Sequence, residues 1–333
     1  MFSSDRRTVM IGAISFLTVA CAPRSASQTK EAARPTAATS DLAAKLQALE
    51  ERAGGRLGAF IFDTADGRGV GWRENERFAH CSSFKLSLAA MFLAKADRGE
   101  IDLAERLRWT EADMLPTSNT TRAHIETGMT IEELAHTTLV QSDNTAANVL
   151  LRRAGGPAEL TEFWRSIGDE VSRLDRYETE LNEVPLGTEL DTTTPGAMAQ
   201  TVAQLVEGDA LLPASRATIR AWMAEVRTGT RRLRAGLPEG WVVGDKTGTG
   251  LGERTHTYVD VGYAGPAGRK PLVIAAYFNP PRLTDGVSPE AEAVLAEVAR
   301  IAAASVAGSG SGSASALVDE PGEQAFEAWP ALL

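Results

Sequence analysis

Positive charge is the first thing this chain is short of. Its 34 Lys and Arg residues face 44 Asp and Glu, a formal net charge of −10, so it offers no basic footprint for a phosphate backbone or an anionic membrane surface. Cysteine is almost absent. Cys21 and Cys81 are the whole complement, and two cysteines so far apart exclude a disulfide framework. The four histidines, His80, His124, His136 and His256, show no HxH or HExxH spacing, so no zinc site is written here. No cofactor motif is present, and no GxSxG elbow supports the commonest kind of serine hydrolase. No apolar run is long enough to cross a bilayer; the longest at the start, residues 9–20, falls short.

What remains is a globular chain. With 43% hydrophobic residues over 333 positions, it can bury a full core as one large unit or two joined lobes. A small molecule is the expected partner and nucleic acid is not. No long heptad or exposed apolar stripe is visible, so a monomer is expected.

Arg6 and Arg7 precede the apolar run, and together residues 1–21 read as an export signal. Leu17-Thr18-Val19-Ala20-Cys21 resembles a lipobox, and Asp5-Arg6-Arg7-Thr8-Val9-Met10 resembles a twin-arginine motif. Two outcomes stay open: membrane anchoring through a lipidated Cys21, or an ordinary signal peptide cleaved nearby. Either places the protein in the periplasm or cell envelope. Residues 22–40, rich in Ala, Ser, Thr and Pro, suit a flexible tether. A helical pattern follows from Asp41 to about residue 53, then a hairpin pairing 57–62 with 69–72 across Asp66-Gly67. Residues 82–228 read as mostly helical, with apolar spacing at 86–96, 131–139 and 145–153. Three strand-like runs come next, at 241–249, 257–264 and 272–279, and a helix at 289–307. Residues 308–333 open with alternating Gly and Ser and end in a Phe326/Trp329/Leu332 cluster.

Strands at both chain ends around a helical middle imply an α+β sandwich. The expected fold is an antiparallel sheet built from residues 41–80 and 230–307, flanked by helices, with an all-helical lobe of residues 81–229 inserted. The crevice between the lobes is the natural site.

Three short motifs occur in order: Ser82-Ser83-Phe84-Lys85, Ser142-Asp143-Asn144 and Lys246-Thr247-Gly248. An SxxK arises roughly once in a chain this long from average residue usage, and Ser27-Gln28-Thr29-Lys30 is a second copy. Taken alone, Ser82 could cap its helix and Lys85 reach for solvent. Their three-residue spacing puts both on one helical face, with Ser82 near an N-terminus that favours developing negative charge. A serine nucleophile needs a base, and a lysine serves only if burial or neighbouring cations lower its pKa, a field Lys246 could supply.

Between the second and third motifs stands Glu178-Thr179-Glu180-Leu181-Asn182. With this segment the chain, from about residue 41 to 307, resembles the class A serine β-lactamases. Asp191-Thr192-Thr193-Thr194-Pro195 and Arg234-Ala235-Gly236-Leu237-Pro238 belong to the same resemblance. It implies the β-lactamase/D,D-peptidase-like fold and hydrolysis of penicillins and cephalosporins through an acyl-enzyme, conferring antibiotic resistance. In that family's terms Ser82 attacks the lactam carbonyl, and its N–H with that of Thr249 forms the oxyanion hole, each such donor worth about 100- to 1000-fold. Either Lys85, or Glu178 through a water held with Asn182, is the acylation base. Glu178 activates the deacylating water, Ser142 relays a proton to the leaving nitrogen, and Asn144 holds the substrate's amide side chain. Lys246, Thr247, Gly248 and Thr249 bind its carboxylate end. Arg232 adds a second cation, since Thr255 stands where some relatives place one. Arg176 and Asp191 close an Ω-loop around Glu178.

Three departures from the family pattern bear on specificity. Thr179 replaces a proline common after the general base, residues 113–116 lack the usual aromatic gatekeeper, and Gly250 stands where some relatives bridge a cysteine to the position of Cys81. Cys81 therefore reads as a small buried packing residue. The rival readings are a penicillin-binding D,D-peptidase, a serine esterase and a sensor that is acylated once. Glu178 and Asn182, the deacylation machinery, argue against the first.

Overall fold

The computed structural model describes Met1 and residues 37–309. The export signal, Cys21 and the C-terminal Phe326/Trp329/Leu332 cluster lie outside the described residues. Its centre is a five-stranded antiparallel sheet of β1 (Arg56–Asp63), β2 (Arg68–Trp72), β7 (Val242–Leu251), β8 (His256–Gly265) and β9 (Leu272–Asn279), in the order β2-β1-β9-β8-β7. The two chain ends meet in the middle of it, where β1 runs against β9 with Arg56 opposite Asn279 and Asp63 opposite Leu272. β7 is an edge strand.

Side chains alternate across this sheet with the two-residue period of a strand. Leu57, Ala59 and Ile61 of β1 and Leu272, Ile274, Ala276 and Phe278 of β9 face helices α1 (Ala37–Ala53) and α10 (Pro289–Ser309), joining Leu46, Leu295 and Val298 in one core cluster. Val259, Val261, Val273, Ala275 and Tyr277 face the other way, into a larger core shared with the helical lobe. Both faces of β8 and β9 are thus covered, which is why these strands read as continuous apolar runs rather than alternating ones.

The helical lobe is built round α2 (Phe84–Asp97), in which every residue from Phe84 to Ala94 is buried. A helix apolar on all sides belongs at a centre, and α4 (Ile131–Val140), α5 (Asn144–Ala154), α6 (Pro157–Ser166) and α8 (Pro213–Glu225) surround it. Starts are written locally. Thr130 and Glu133 form a capping box at α4, Asp143 accepts from Ala146 N–H at α5, and Thr194 caps α7 (Pro195–Val206). The short elements are α3 (Asn119–Ala123), α9 (Leu233–Gly236), and two small ladders. β3 (Phe78–Ala79) pairs with β6 (Thr192–Thr193), and β4 (Arg106–Leu107) with β5 (Met129–Thr130).

Two boundaries differ from the sequence expectation. Helix α1 starts at Ala37, inside the stretch 22–40 read as tether, because Ala37 and Ala38 are strong helix formers that extend the pattern backwards. Helix α10 runs to Ser309 rather than stopping at 307. Helix α7 also packs on β1, β8 and β9, so a segment placed with the helical lobe covers part of the sheet.

Candidate active site

Ser82 lies in a 3-10 turn, Cys81–Ser83, that runs directly into α2. Cys81 takes a left-handed φ of 44°, a conformation unusual outside glycine and one that concentrates at functional sites. The edge strand β7 is pressed against this turn. A Cβ at Gly248 would sit 2.9 Å from His80 O and 3.0 Å from Ser82 N, so only glycine lets the strand come this close. The next residue, Thr249, lines the same cavity as Ser82, a cleft of about 250 Å³.

Beneath Ser82, the SxxK turn, the SDN segment and the segment of Glu178 meet at one ammonium. Lys85 Nζ, fully buried, lies 2.9 Å from Glu178 Oε1, and it donates to Ser142 O at 2.9 Å and to Asn144 Oδ1. Ser82 Oγ donates to Glu178 Oε1 across 3.4 Å. Glu178 Oε2 accepts from Asn182 Nδ2 at 2.7 Å, and the buried Asn182 Oδ1 has no hydrogen-bond partner among the described residues. Nucleophile, two candidate bases and an amide thus share one continuous network.

The far wall carries the cations. Lys246 is fully buried and donates to Ser142 Oγ at 3.2 Å. Burial, then the charge of Lys85, push its pKa down to about 7. Arg232, 4% exposed, donates to Gly248 O, Val259 O and Thr249 Oγ1 at 2.8, 2.9 and 2.6 Å, and to Glu292 Oε1 at 3.2 Å. Thr247 Oγ1 shares a 2.8 Å hydrogen bond with Thr228 Oγ1. Behind β7, burial raises the pKa of Asp245 to about 6 against the pull of Arg234, its ion-pair partner at 2.9 Å.

Arg176 and Asp191 stand outside the cavity, at the neck of the segment that carries Glu178. Arg176 Nε is 2.6 Å from Asp191 Oδ2, and Asp191, wholly buried, also accepts the backbone N–H groups of Asp175 and Arg176. His80 N–H donates to Asp191 O at 3.0 Å, tying this neck to the nucleophile turn.

All eleven residues expected to do chemistry or hold substrate (Ser82, Lys85, Ser142, Glu178, Asn182, Asn144, Lys246, Thr247, Gly248, Thr249 and Arg232) therefore converge. Asn144 is committed on both sides, accepting from Lys85 and donating to Pro116 O at 2.9 Å. Cys81 is a free, buried thiol with its pKa raised by burial, and a Cβ at Gly250 would lie 2.9 Å from its sulfur. Three contributors escaped sequence reasoning. Asn148 clamps the backbone of Glu178, accepting its N–H at 3.0 Å and donating to its carbonyl at 2.8 Å. It sits one helical turn beyond Asn144, on the same face, and that i+4 spacing was the available signal. Thr117, at φ 56°, lines the cavity where no gatekeeper was found at 113–116, and Thr228 lines it beside Thr247. No cluster of three or more metal-ligating side chains occurs among the described residues.

A family model described as "Beta-lactamase enzyme family" matches residues 41–306. The chain is 44% identical over 257 residues to Beta-lactamase FAR-1 of Nocardia farcinica, covering 77% of this chain and 80% of that one. It is 44% identical over 273 residues to Beta-lactamase L2 of Stenotrophomonas maltophilia, covering 81% and 88%. Among solved structures, an ancestral (GNCA) class A β-lactamase superposes with a TM-score of 0.74 at 48% identity, over 78% of this chain and 98% of that one. The putative class A β-lactamase PenP from Rhodopseudomonas palustris gives 0.74 at 46%, over 81% and 99%.

Proposed function

The chain belongs to the class A serine β-lactamases, enzymes of β-lactam hydrolysis and antibiotic resistance, and from that premise we propose how its own residues divide the reaction. Ser82 Oγ attacks the lactam carbonyl carbon, and the amide N–H groups of Ser82 and Thr249 receive the developing oxyanion. The serine proton passes to Glu178, directly or through a water. Four acceptors already surround Lys85 Nζ, the setting of a donor, and this supports Glu178 rather than Lys85 as the group that first takes the serine proton. The C–N bond then breaks as Ser142, within reach of both Lys85 and Lys246, passes its proton to the departing nitrogen, Lys85 replaces that proton on Ser142, and Lys85 in turn takes the one Glu178 had received, so that Glu178 is a carboxylate again. In the second half Glu178 takes a proton from a water lodged against Asn182, the hydroxide attacks the ester carbonyl, and the proton returns to Ser82 as the acid product leaves. Lys246, Thr247 and Arg232 bind the substrate's carboxylate, and Asn144 its amide side chain.

The observation that carries this reading is the double engagement of Glu178, 3.4 Å from Ser82 Oγ and 2.7 Å from Asn182 Nδ2. Time-resolved intact mass with excess benzylpenicillin tests it. The parent should show a fleeting adduct and rapid drug loss, Ser82→Ala no adduct, and Glu178→Gln one that forms slowly and then persists, with acylation and deacylation each slowed roughly 10²- to 10⁴-fold. An adduct that vanishes as fast in Glu178→Gln as in the parent removes the carboxylate from deacylation.

The leader supports an exported enzyme of the periplasm or cell envelope, with lipid attachment at Cys21 as its anchor, and the lack of a long heptad or apolar stripe in the sequence supports a monomer. Fractionation decides the anchor: Cys21→Ala should move the protein from the membrane to the soluble fraction.

A further inference from the structure

Arg232 is tied to the sheet through its side chain, but those bonds require the backbone carrying it to be held as well. It immediately precedes α9, a helix of only four residues, too short to be stable on its own. Its ψ of −129° sets the plane of the next peptide, whose N–H, that of Leu233, donates to Asp260 Oδ2 at 3.0 Å. On the other side Arg232 N–H donates to Gly229 O at 2.8 Å.

Asp260 is an odd occupant of its place. It stands in the middle of β8, opposite Thr247 in register, and it is 0% exposed. Its β8 neighbours Val259 and Val261 are fully buried and apolar. A carboxyl group in such a place carries a desolvation cost, and its Oδ1 has no hydrogen-bond partner among the described residues. Burial and the nearby Asp245 push its pKa well up. Among the described residues its side chain accepts from the backbone of the residue after Arg232.

We propose that Asp260 is a positioning residue: by holding the peptide between Arg232 and Leu233, it aims the Arg232 guanidinium at Thr249 Oγ1 and the carboxylate-binding end of the cleft. This rests on the reading of Arg232 as a cation for the substrate carboxylate.

Steady-state kinetics on benzylpenicillin and on its methyl ester, which lacks the free carboxylate, separate the two ideas. Asp260→Ser is too short to reach Leu233 N–H. It should raise KM for benzylpenicillin about tenfold, the usual worth of a charge-assisted hydrogen bond, with little change in kcat and none in KM for the ester. Asp260→Asn, whose carbonyl can still accept that N–H, should restore the parental KM. In an Arg232→Ala background Asp260→Ser should add nothing. The proposal is overturned if Asp260→Ser leaves KM unchanged while Arg232→Ala raises it, or if it damages both substrates alike. If Arg232→Ala itself spares benzylpenicillin, the reading of Arg232 falls instead. Should Asp260→Ser not fold, Asp260→Asn carries the test, and a KM as high as that of Arg232→Ala overturns the proposal.

Discussion

Two residues at the site behave in ways their types alone do not announce. Lys246 is charged only below about pH 7, because burial and Lys85 both disfavour its proton. A carboxylate-bearing β-lactam should therefore lose kcat/KM as pH rises through 7, and the methyl ester should not; parallel profiles for the two would remove Lys246 from carboxylate binding. His80, stacked on Trp164 with ring centroids 4.8 Å apart, is held neutral by burial, its pKa lowered from 6.5 to about 3. Between those values the unfolded chain binds the extra proton, so this imidazole's contribution to stability is complete above pH 6.5 and is lost as pH falls toward 3. The stability advantage of the parent over His80→Gln should shrink by about 1.4 kcal/mol per pH unit below 6.5, measured by urea unfolding; a constant difference would contradict it. Neither property can be read from sequence, since burial is a tertiary quantity. The motif residues could be, because SxxK, SDN, the Glu178 segment and KTG follow one another in a fixed order along the chain. Asn148 lacked such a mark, and what makes it matter is a distant backbone it happens to face.

Among elements, the loop from Arg176 to Asp191 is the most instructive. Its bracketing pair was legible, as was Glu178 within it, but not the way Asp191 gathers one guanidinium and two backbone N–H groups at once. Arg176→Ala leaves a wholly buried carboxylate short of its counter-ion, at a cost of about 3 kcal/mol. Hydrogen exchange should quicken across residues 176–191, and deacylation should slow more than acylation. Unchanged exchange there would mean that the backbone bonds alone close the loop. Strands β8 and β9 were legible as strands from their apolar runs, while the two-residue ladders β3–β6 and β4–β5 were not, since so short a segment has no period to detect. The start of α1 was missed because its first residues, Ala37-Ala38-Thr39-Ser40, are as small as those of the stretch before them and show no apolar period.

For the whole molecule, the sheet assembled from both chain ends was legible in outline, and its order was not. Pairing of β1 with β9 rather than with β7 or β8 depends on long-range packing that no local pattern encodes. That order makes β9 indispensable, since all eight of its residues are buried between β1 and β8. A chain ending after Gly265 should show neither cooperative unfolding by circular dichroism nor acylation by benzylpenicillin; a folded, penicillin-reactive fragment would show that the helical lobe stands alone. The same arrangement has a consequence in time. Arg56 and Asn279 are register partners 223 positions apart, and at the 5–20 residues per second of translation a growing chain waits roughly 10 to 45 s between making one and making the other. For most of that interval Ser82 is already made while β9 is not, so the nucleophile is written well before the sheet on which its cleft depends is complete.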